Sequence, residues 1–359
     1  MLRAEHLFAS VDKETYLDDV SLSAEPGRIY VVMGRTGAGK TSLMRAVAGL
    51  LTLDSGELSF QGESMTETPV WKRDVAMVYQ QFINYPNKTV RQNIEFPLKK
   101  AGLQGVELDA RVNTYLEKVG LTNFADRRPG QLSGGQQQRV AMARSMARHS
   151  RILMLDEPLM NLDFKLREQL REEFLTLFSG ESQSVTLYAT TEIAEAMMLG
   201  YELMVMHEGR VLQAGPPAEV FERPKNLAVA QIVSDPPMSV LRARVEGDDI
   251  VLASGHRLSR PAHLAGLGDG EYDFGVRAMD IVPAGAASDA ESTRISFVEV
   301  SGSETVLYVS SESGDLVVLI EGIHDYKAGE KLSVTLRTDR FFAFDQTGDL
   351  LIAPALEVR

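Results

Sequence analysis

Cysteine is absent from the 359 residues. Disulfides and thiolate metal sites are therefore excluded, which suits a protein kept in a reducing compartment. Long apolar runs are missing too. The longest, such as LVVLI at 316–320, are strand-sized, well short of the roughly 18 residues that a membrane-spanning helix needs. The opening MLRAEHLFASVDKETY has no signal-peptide apolar core, so a cytoplasmic chain is expected. A basic surplus is the third thing lacking. The net charge is −13, which argues against a nucleic-acid footprint. The deficit is uneven: from Pro236 onward there are 11 Lys/Arg against 20 Asp/Glu, a net of −9, and before it 26 against 30, a net of −4. The last third therefore reads as a separate, acidic domain.

Up to about Val233 strands and helices alternate. RIYVVMG (28–34) is a short β-branched run ending at glycine, and RILMLDEP (151–158) is a second apolar strand. Between them KTSLMRAVAGLL (40–51) carries Leu43, Val47 and Leu50 at helical spacing. This alternation predicts an α/β sheet covered by helices. The DPP at 235–237 ends regular structure. Beyond it come short alternating strands: Leu241, Ala243 and Val245 share one face, as do Leu332, Val334 and Leu336. A small antiparallel β-domain or barrel is expected there.

GRTGAGKT (34–41) joins the first strand to its helix and fits G-x-x-x-x-G-K-[ST]. Gly34, Arg35, Thr36, Gly37, Ala38 and Gly39 would wrap backbone N–H groups around phosphate oxygens, helped by the helix N-terminus. Lys40 would reach the β- and γ-phosphates, and Thr41 would hold Mg²⁺. At the end of the second strand Asp156 is placed to bind Mg²⁺ through water and Glu157 to polarise an attacking water. LSGGQQQRVAMARSMA (132–147) offers a second anion site, with Ser133, Gly134 and Gly135 opening a helix whose Val140, Ala143 and Ala147 share a face. One ATP does not need two such sites from one subunit, so this one is expected to cap ATP held by a second subunit.

LSGGQ, the phosphate loop and LMLDEP together resemble the ATP-binding-cassette ATPases, over almost the whole chain. The resemblance implies a P-loop NTPase of RecA-like core with a helical subdomain at about 82–150, filling residues 1–233, and an OB-type regulatory domain at 234–359. The segments FGVRAMDI, VEVSGSETVLYV and FAFDQTGDLL carry the second likeness, to the regulatory tail of carbohydrate and polyol importers. VYQQ (78–81) resembles the family's Q-loop, which makes Gln80 the residue that senses Mg²⁺ and the membrane subunit. NLD (161–163) resembles its D-loop and gives Asp163; Gln136 completes the signature. The implied cofactors are ATP and Mg²⁺. The implied partners are a second ATPase subunit, two membrane permease subunits and a periplasmic or lipid-anchored substrate-binding protein, at the cytoplasmic face of a bacterial inner membrane. VYQQFINYP, YATTE and DPP further resemble one of the two unlike ATPase subunits of bacterial glycerol importers.

Two departures accompany the resemblance. The family's switch histidine precedes E-A-M; aligning on EAM (195–197) puts Thr191 there, and none of the six histidines lies between 150 and 206. His207, in MHEGRV, reads as a hairpin-turn residue. Family members also stack adenine on an aromatic about 23 residues before the first loop glycine, which here is Val11; Tyr16 comes five residues later. Either Thr191 or Glu192 serves in a variant geometry, or the chain's own site is degenerate. The second case predicts a heterodimer with unequal sites. A homodimeric sugar or glycerol-phosphate importer, an exporter and a soluble cassette ATPase are the rival readings. An OB module for nucleic acid is disfavoured by the tail's net −9.

Overall fold

The computed structural model describes residues 1–81, 83–160, 167, 183–284 and 290–355. Internal contacts divide them into two compact units, Met1–Pro217 and Ala218–Arg359.

The first unit begins with an antiparallel pair, β1 (Leu2–Val11) and β2 (Glu14–Ala24), whose two-residue turn places Asp12 and Lys13 at positive φ. β3 (Ile29–Met33), α1 (Lys40–Ala48), β4 (Ser55–Phe60), β5 (Glu63–Ser64) and β6 (Val75–Val78) follow. Then come α2 (Val90–Lys100), α3 (Gly105–Lys118) and α4 (Gly134–Ala147). β7 (Ile152–Asp156), β8 (Val185–Thr190), α5 (Ile193–Leu199), β9 (Glu202–His207) and β10 (Arg210–Gly215) complete the elements used below. β2-β1-β4-β5 form one sheet and β10-β9-β3-β8-β7-β6 another, parallel except at β10. Strands β3, β7 and β8 are buried nearly throughout, as expected of a parallel sheet covered on both faces. The core links Leu2, Leu7, Leu17 and Val20 of the antiparallel sheet to Val32, Met154 and Leu187 of the parallel one through Leu43 and Val47 of α1. In register, Met33 lies opposite Thr190, and Asp156 opposite Ala189. The strand ends that precede Gly34, Glu157 and Thr191 therefore share one rim of the sheet, where ligands bind in open α/β folds.

α4 differs from its sequence pattern. Val140, Ala143 and Ala147 are buried as expected, but Ala141, Met142, Ser145 and Met146 are buried too. The helix packs on α2, α3 and β6 together, so it has no broad polar face and its apolar periodicity is blurred.

The second unit is all-β apart from short helical turns and α6 (Leu227–Ile232). Two antiparallel sheets built from strands between Ser239 and Ile352 share a core that includes Leu241, Phe274, Ile295, Leu307 and Phe341. This is the barrel-like, OB-type architecture expected of the tail. Ala230 of α6 packs with Met238, Phe342 and Phe344, which explains why the residues just before DPP belong to this unit.

α1 is anchored at its far end by Arg73, 7% exposed. Its guanidinium donates to the Ala46 and Val47 carbonyls at 2.9 and 2.7 Å, and to Thr68 and Thr66 carbonyls at 2.7 and 3.2 Å. A cation at a helix C-terminus meets the negative end of its dipole and satisfies carbonyls the helix leaves open. Burial alone pushes the guanidinium pKa down, so these acceptors must offset a real desolvation. Arg73→Met keeps the bulk and removes every donor. It should destabilise the first unit by on the order of 3 kcal/mol, read from the urea midpoint; a midpoint that does not move would show the clamp to be idle.

Candidate functional site

The loop from Gly34 to Lys40 is shaped by what cannot be placed in it. A Cβ on Gly34 would lie 2.3 Å from the Met206 carbonyl oxygen. One on Gly39 would lie 2.9 Å from the Tyr16 carbonyl oxygen, and Gly39 has φ +103°, open to glycine alone at low cost. Gly37 has φ +84° and meets nothing within 4 Å. Gly209 donates its N–H to the Ala38 carbonyl at 3.0 Å. The loop is thus backed by main chain from β9–β10 and β2, with Arg35, Thr36 and Gly37 exposed in front.

Lys40 is 4% exposed. Its ammonium donates to the Gly34 and Arg35 carbonyls at 2.7 and 3.3 Å and lies 2.9 Å from Glu157 Oε1. Glu157 has φ +46°, a strained value for a side-chain-bearing residue, and its N–H is held by the Ala189 carbonyl at 3.0 Å. Gln80 Nε2 lies 3.2 Å from Glu157 Oε2 and 3.0 Å from Met160 Sδ. Thr41 Oγ1 donates to Asp156 Oδ1 at 3.1 Å. Lys40, Gln80 and Glu157 form one hydrogen-bonded set and Thr41 and Asp156 a second, kept side by side because Lys40 precedes Thr41 and Asp156 precedes Glu157 in the chain. Thr41 and Asp156 present adjacent hard oxygen donors, the kind Mg²⁺ takes along with water and phosphate oxygens.

The other expected residues fall around this group. Thr191 is half-buried, one residue beyond β8. The turn carrying it is fixed by its neighbours: Thr190 Oγ1 donates to Glu195 Oε2 at 2.7 Å and accepts from the Glu192 N–H at 3.0 Å. Tyr188 donates to the same Glu195 oxygen at 2.9 Å. Glu192 pairs with Arg167 at 3.0 Å. His207 ends β9, with Glu208 and Gly209 turning into β10. Ser133 caps α4 reciprocally: its hydroxyl accepts from Gln136 N–H at 3.4 Å and its N–H donates to Gln136 Oε1 at 3.1 Å. Gly134 has open space where a Cβ would stand, and Gly135 is buried. Among the described residues, no hydrogen bond or ion pair joins Ser133–Gln136 to the Lys40–Glu157 group. Asp163 lies outside the described residues.

Tyr16 is an aromatic whose main chain lies beside the phosphate loop. Val11 sits at the hairpin tip opposite Glu14, 42% exposed. Tyr16, 38% exposed, has its carbonyl packed against the Cα side of both Gly39 and Gly209. An irregularity between Ala9 and Ser10 in the β1–β2 register moves Tyr16 out of simple alternation. The only forewarning in the sequence was an aromatic near the end of the hairpin.

Burial pushes the Asp156 carboxyl above the ordinary carboxylate range; Glu157 adds to the rise, while the Thr41 hydroxyl and Lys40 oppose it. A carboxyl raised on folding leaves stability intact below its unfolded pKa and removes it as pH climbs through the folded one. Asp156→Asn should therefore raise Tm at pH 7.5 without nucleotide, and the gain should shrink toward pH 4. A gain that stayed constant with pH would reject the assignment.

A family model described as "ABC transporter" matches residues 17–160. The chain is 36% identical over 339 residues to the sn-glycerol-3-phosphate import ATP-binding protein UgpC of Chromohalobacter salexigens, covering 93% of this chain and 91% of that one. It is 34% identical over 332 residues to the sulfoquinovosyl glycerol transport ATP-binding protein SmoE of Agrobacterium fabrum, covering 91% and 92%. Among solved structures it resembles the ATP-binding cassette MJ0796, a dimer in a post-hydrolysis state bound to ADP and Pi, at TM-score 0.54 and 26% identity, covering 60% of this chain and 99% of that one. With relatives matched end to end and a phosphate loop, two acidic strand-end residues and a capped LSGGQ helix in place, the chain belongs to the ATP-binding, ATP-hydrolysing subunits of ABC transporters.

Proposed function

We propose that this subunit couples ATP hydrolysis to the import of a small polyol or sugar, with glycerol the favoured cargo, as one half of an unequal ATPase pair. Two relatives are named for glycerol-bearing cargo. No helix among the described residues is long and apolar enough to cross a membrane. Its place would therefore be peripheral, at the cytoplasmic face of a bacterial inner membrane through two permease subunits fed by a substrate-binding protein. The nucleotide-binding domain, read from the sequence as 1–233, would correspond to the first compact unit, and the regulatory one, read as 234–359, to the second, which also takes in Leu227–Ile232.

At its own site the residues act as follows. Backbone N–H groups of Gly37, Ala38, Gly39 and Lys40 hold phosphate oxygens. Mg²⁺, held by Thr41, Gln80 and (through water) Asp156, would neutralise phosphate charge. Lys40, engaged by Glu157 when no phosphate is present, exchanges that carboxylate for the β- and γ-phosphates. Glu157 is then free to orient and polarise water, and Gln80 follows it. Tyr16 is the aromatic best placed beside the loop to meet the nucleobase. Ser133, Gly134, Gly135 and Gln136, with Asp163, serve the ATP of the other subunit.

The observation that carries the asymmetric reading is Thr191, at the rim position where the family places histidine. A threonine hydroxyl is shorter than imidazole and cannot reproduce its reach to both γ-phosphate and water. The turn around it is already committed to Glu195 and Glu192.

Lys40→Ala should weaken binding of fluorescent ATP with Mg²⁺ present; equal binding would remove the phosphate-loop assignment. In the assembled transporter, Glu157→Gln should leave most ATP turnover in place, and Gly135→Asp should abolish it, since its carboxylate would face the partner's γ-phosphate. Losing a placed catalytic group lowers rates by about 10²-fold or more, so the outcomes separate cleanly. A dead Glu157→Gln complex would favour the homodimer. Thr191→His should raise turnover at the weak site if nucleobase binding there is sound. Deleting the gene should abolish uptake of labelled glycerol; unchanged uptake would reassign the cargo.

A further inference from the structure

The second unit carries a cleft of about 440 Å³ lined by Ser254, His256, Glu291, Ser292 and Glu312, within the span of small-molecule sites. Ser254 and His256 come from the turn between the strands Asp249–Leu252 and Arg257–Ser259. Glu312 comes from the turn between Glu304–Ser311 and Gly314–Glu321, and Glu291 opens the strand Glu291–Ser301. The nucleotide site uses none of them.

Glu291 is nearly out of water, at 3% exposure. Ser254 Oγ donates to its Oε2 at 3.0 Å, and Ser313 Oγ lies 2.9 Å from its Oε1 and 3.0 Å from Ser254 Oγ. Each serine has one hydroxyl proton, so two protons serve these three contacts, whereas a carboxylate accepts about four donors. The nearby N–H groups of Ser254 and His256 donate to serine oxygens and not to the carboxylate. Acceptor positions on Glu291 are therefore left open.

Its charge is left open too. Among the described residues no Lys or Arg pairs with Glu291. The neighbouring residues 285–289 read GAASD and contain neither. Arg257 and Arg294, close in sequence, are engaged elsewhere: Arg257 with Asp249 and Glu246 at 2.9 and 2.8 Å, Arg294 with the Gly329 carbonyl at 2.6 Å. Buried charges are normally paired, because an unpaired one keeps its full desolvation cost. Two further groups look into the same cleft. His256 Nε2 is buried without a partner, and exposed Glu312 adds a second carboxylate.

We propose that this cleft binds a small organic cation, an ammonium or guanidinium compound. Its N–H groups donate to Glu291 and to His256 Nε2, with the imidazole proton on Nδ1, and Glu291 and Glu312 balance its charge. An anion would meet two carboxylates. A neutral polyol would fill the open acceptor positions and leave the buried charge unpaired. No three His, Cys, Asp or Glu side chains among the described residues are grouped to hold a metal ion. The site is independent of the cargo and of the roles given to the nucleotide residues.

Titration calorimetry of the purified, nucleotide-free chain with ethanolamine, 1,4-diaminobutane and agmatine tests this. At least one should bind saturably at one site per chain, and more weakly as salt is raised. Glu312→Lys changes an exposed residue and puts a rival ammonium at the cleft; it should weaken that binding tenfold or more. Glu291→Gln keeps the shape, removes the charge and should do the same, since a hydrogen bond to a charged group is worth a factor of about ten or more. Fluorescent-ATP binding should be unchanged in both. If Glu291→Gln does not fold, Glu312→Lys decides alone. Absence of saturable binding for all three compounds would overturn the proposal, as would binding that Glu312→Lys leaves untouched. Tighter binding of glycerol than of every organic cation would make the cleft a hydroxyl site, and tighter binding of Mg²⁺ or Ca²⁺ a metal site; either result overturns it.

Discussion

Everything at the rim of the parallel sheet is organised around the contact between the Lys40 ammonium and the Glu157 carboxylate, 2.9 Å apart and nearly out of water. Isolated, either charge would be expensive to bury; together, and with the Gly34 and Arg35 carbonyls and Gln80 completing their hydrogen bonds, they are tolerable. Glu157 makes this contact from a strained φ of +46°. A phosphate entering the loop would compete with that carboxylate for Lys40, and in the proposed reading the displaced Glu157 is the group that acts on water.

The neighbouring turn has its own restraints: the Thr190 hydroxyl is engaged by Glu195 and by the Glu192 N–H, which fixes the residues on both sides of Thr191. A threonine hydroxyl is shorter than an imidazole at the same place in a turn. The asymmetry proposed for the pair of subunits comes down to that difference in reach.

The sequence was most readable where function needs a backbone shape or a charge at a fixed spacing. Gly34, Gly37, Gly39, Lys40, Asp156 and Glu157 are local patterns whose physics is carried by residue type. Arg73 was invisible because its acceptors are main-chain carbonyls of Ala46, Val47, Thr66 and Thr68, which leave no mark in residue type. Counted spacing alone did not place Tyr16, because a strand irregularity sets the register beside it. The face read into α4 from Val140, Ala143 and Ala147 is buried as expected, and burial extends beyond it because three elements surround the helix.

The hairpin of β9 and β10 supports the phosphate loop with peptide groups and a missing side chain: the Met206 carbonyl, the Gly209 N–H and the bare Cα of Gly209. Support of that kind places almost no demand on the identity of His207 and a strong one on Gly209, which has φ +79° and no room for a Cβ beside the Tyr16 carbonyl. Sequence drift at the tip is consequently silent on one side of a peptide bond and ruinous on the other, so a histidine at 207 can come and go without leaving a trace in nucleotide chemistry.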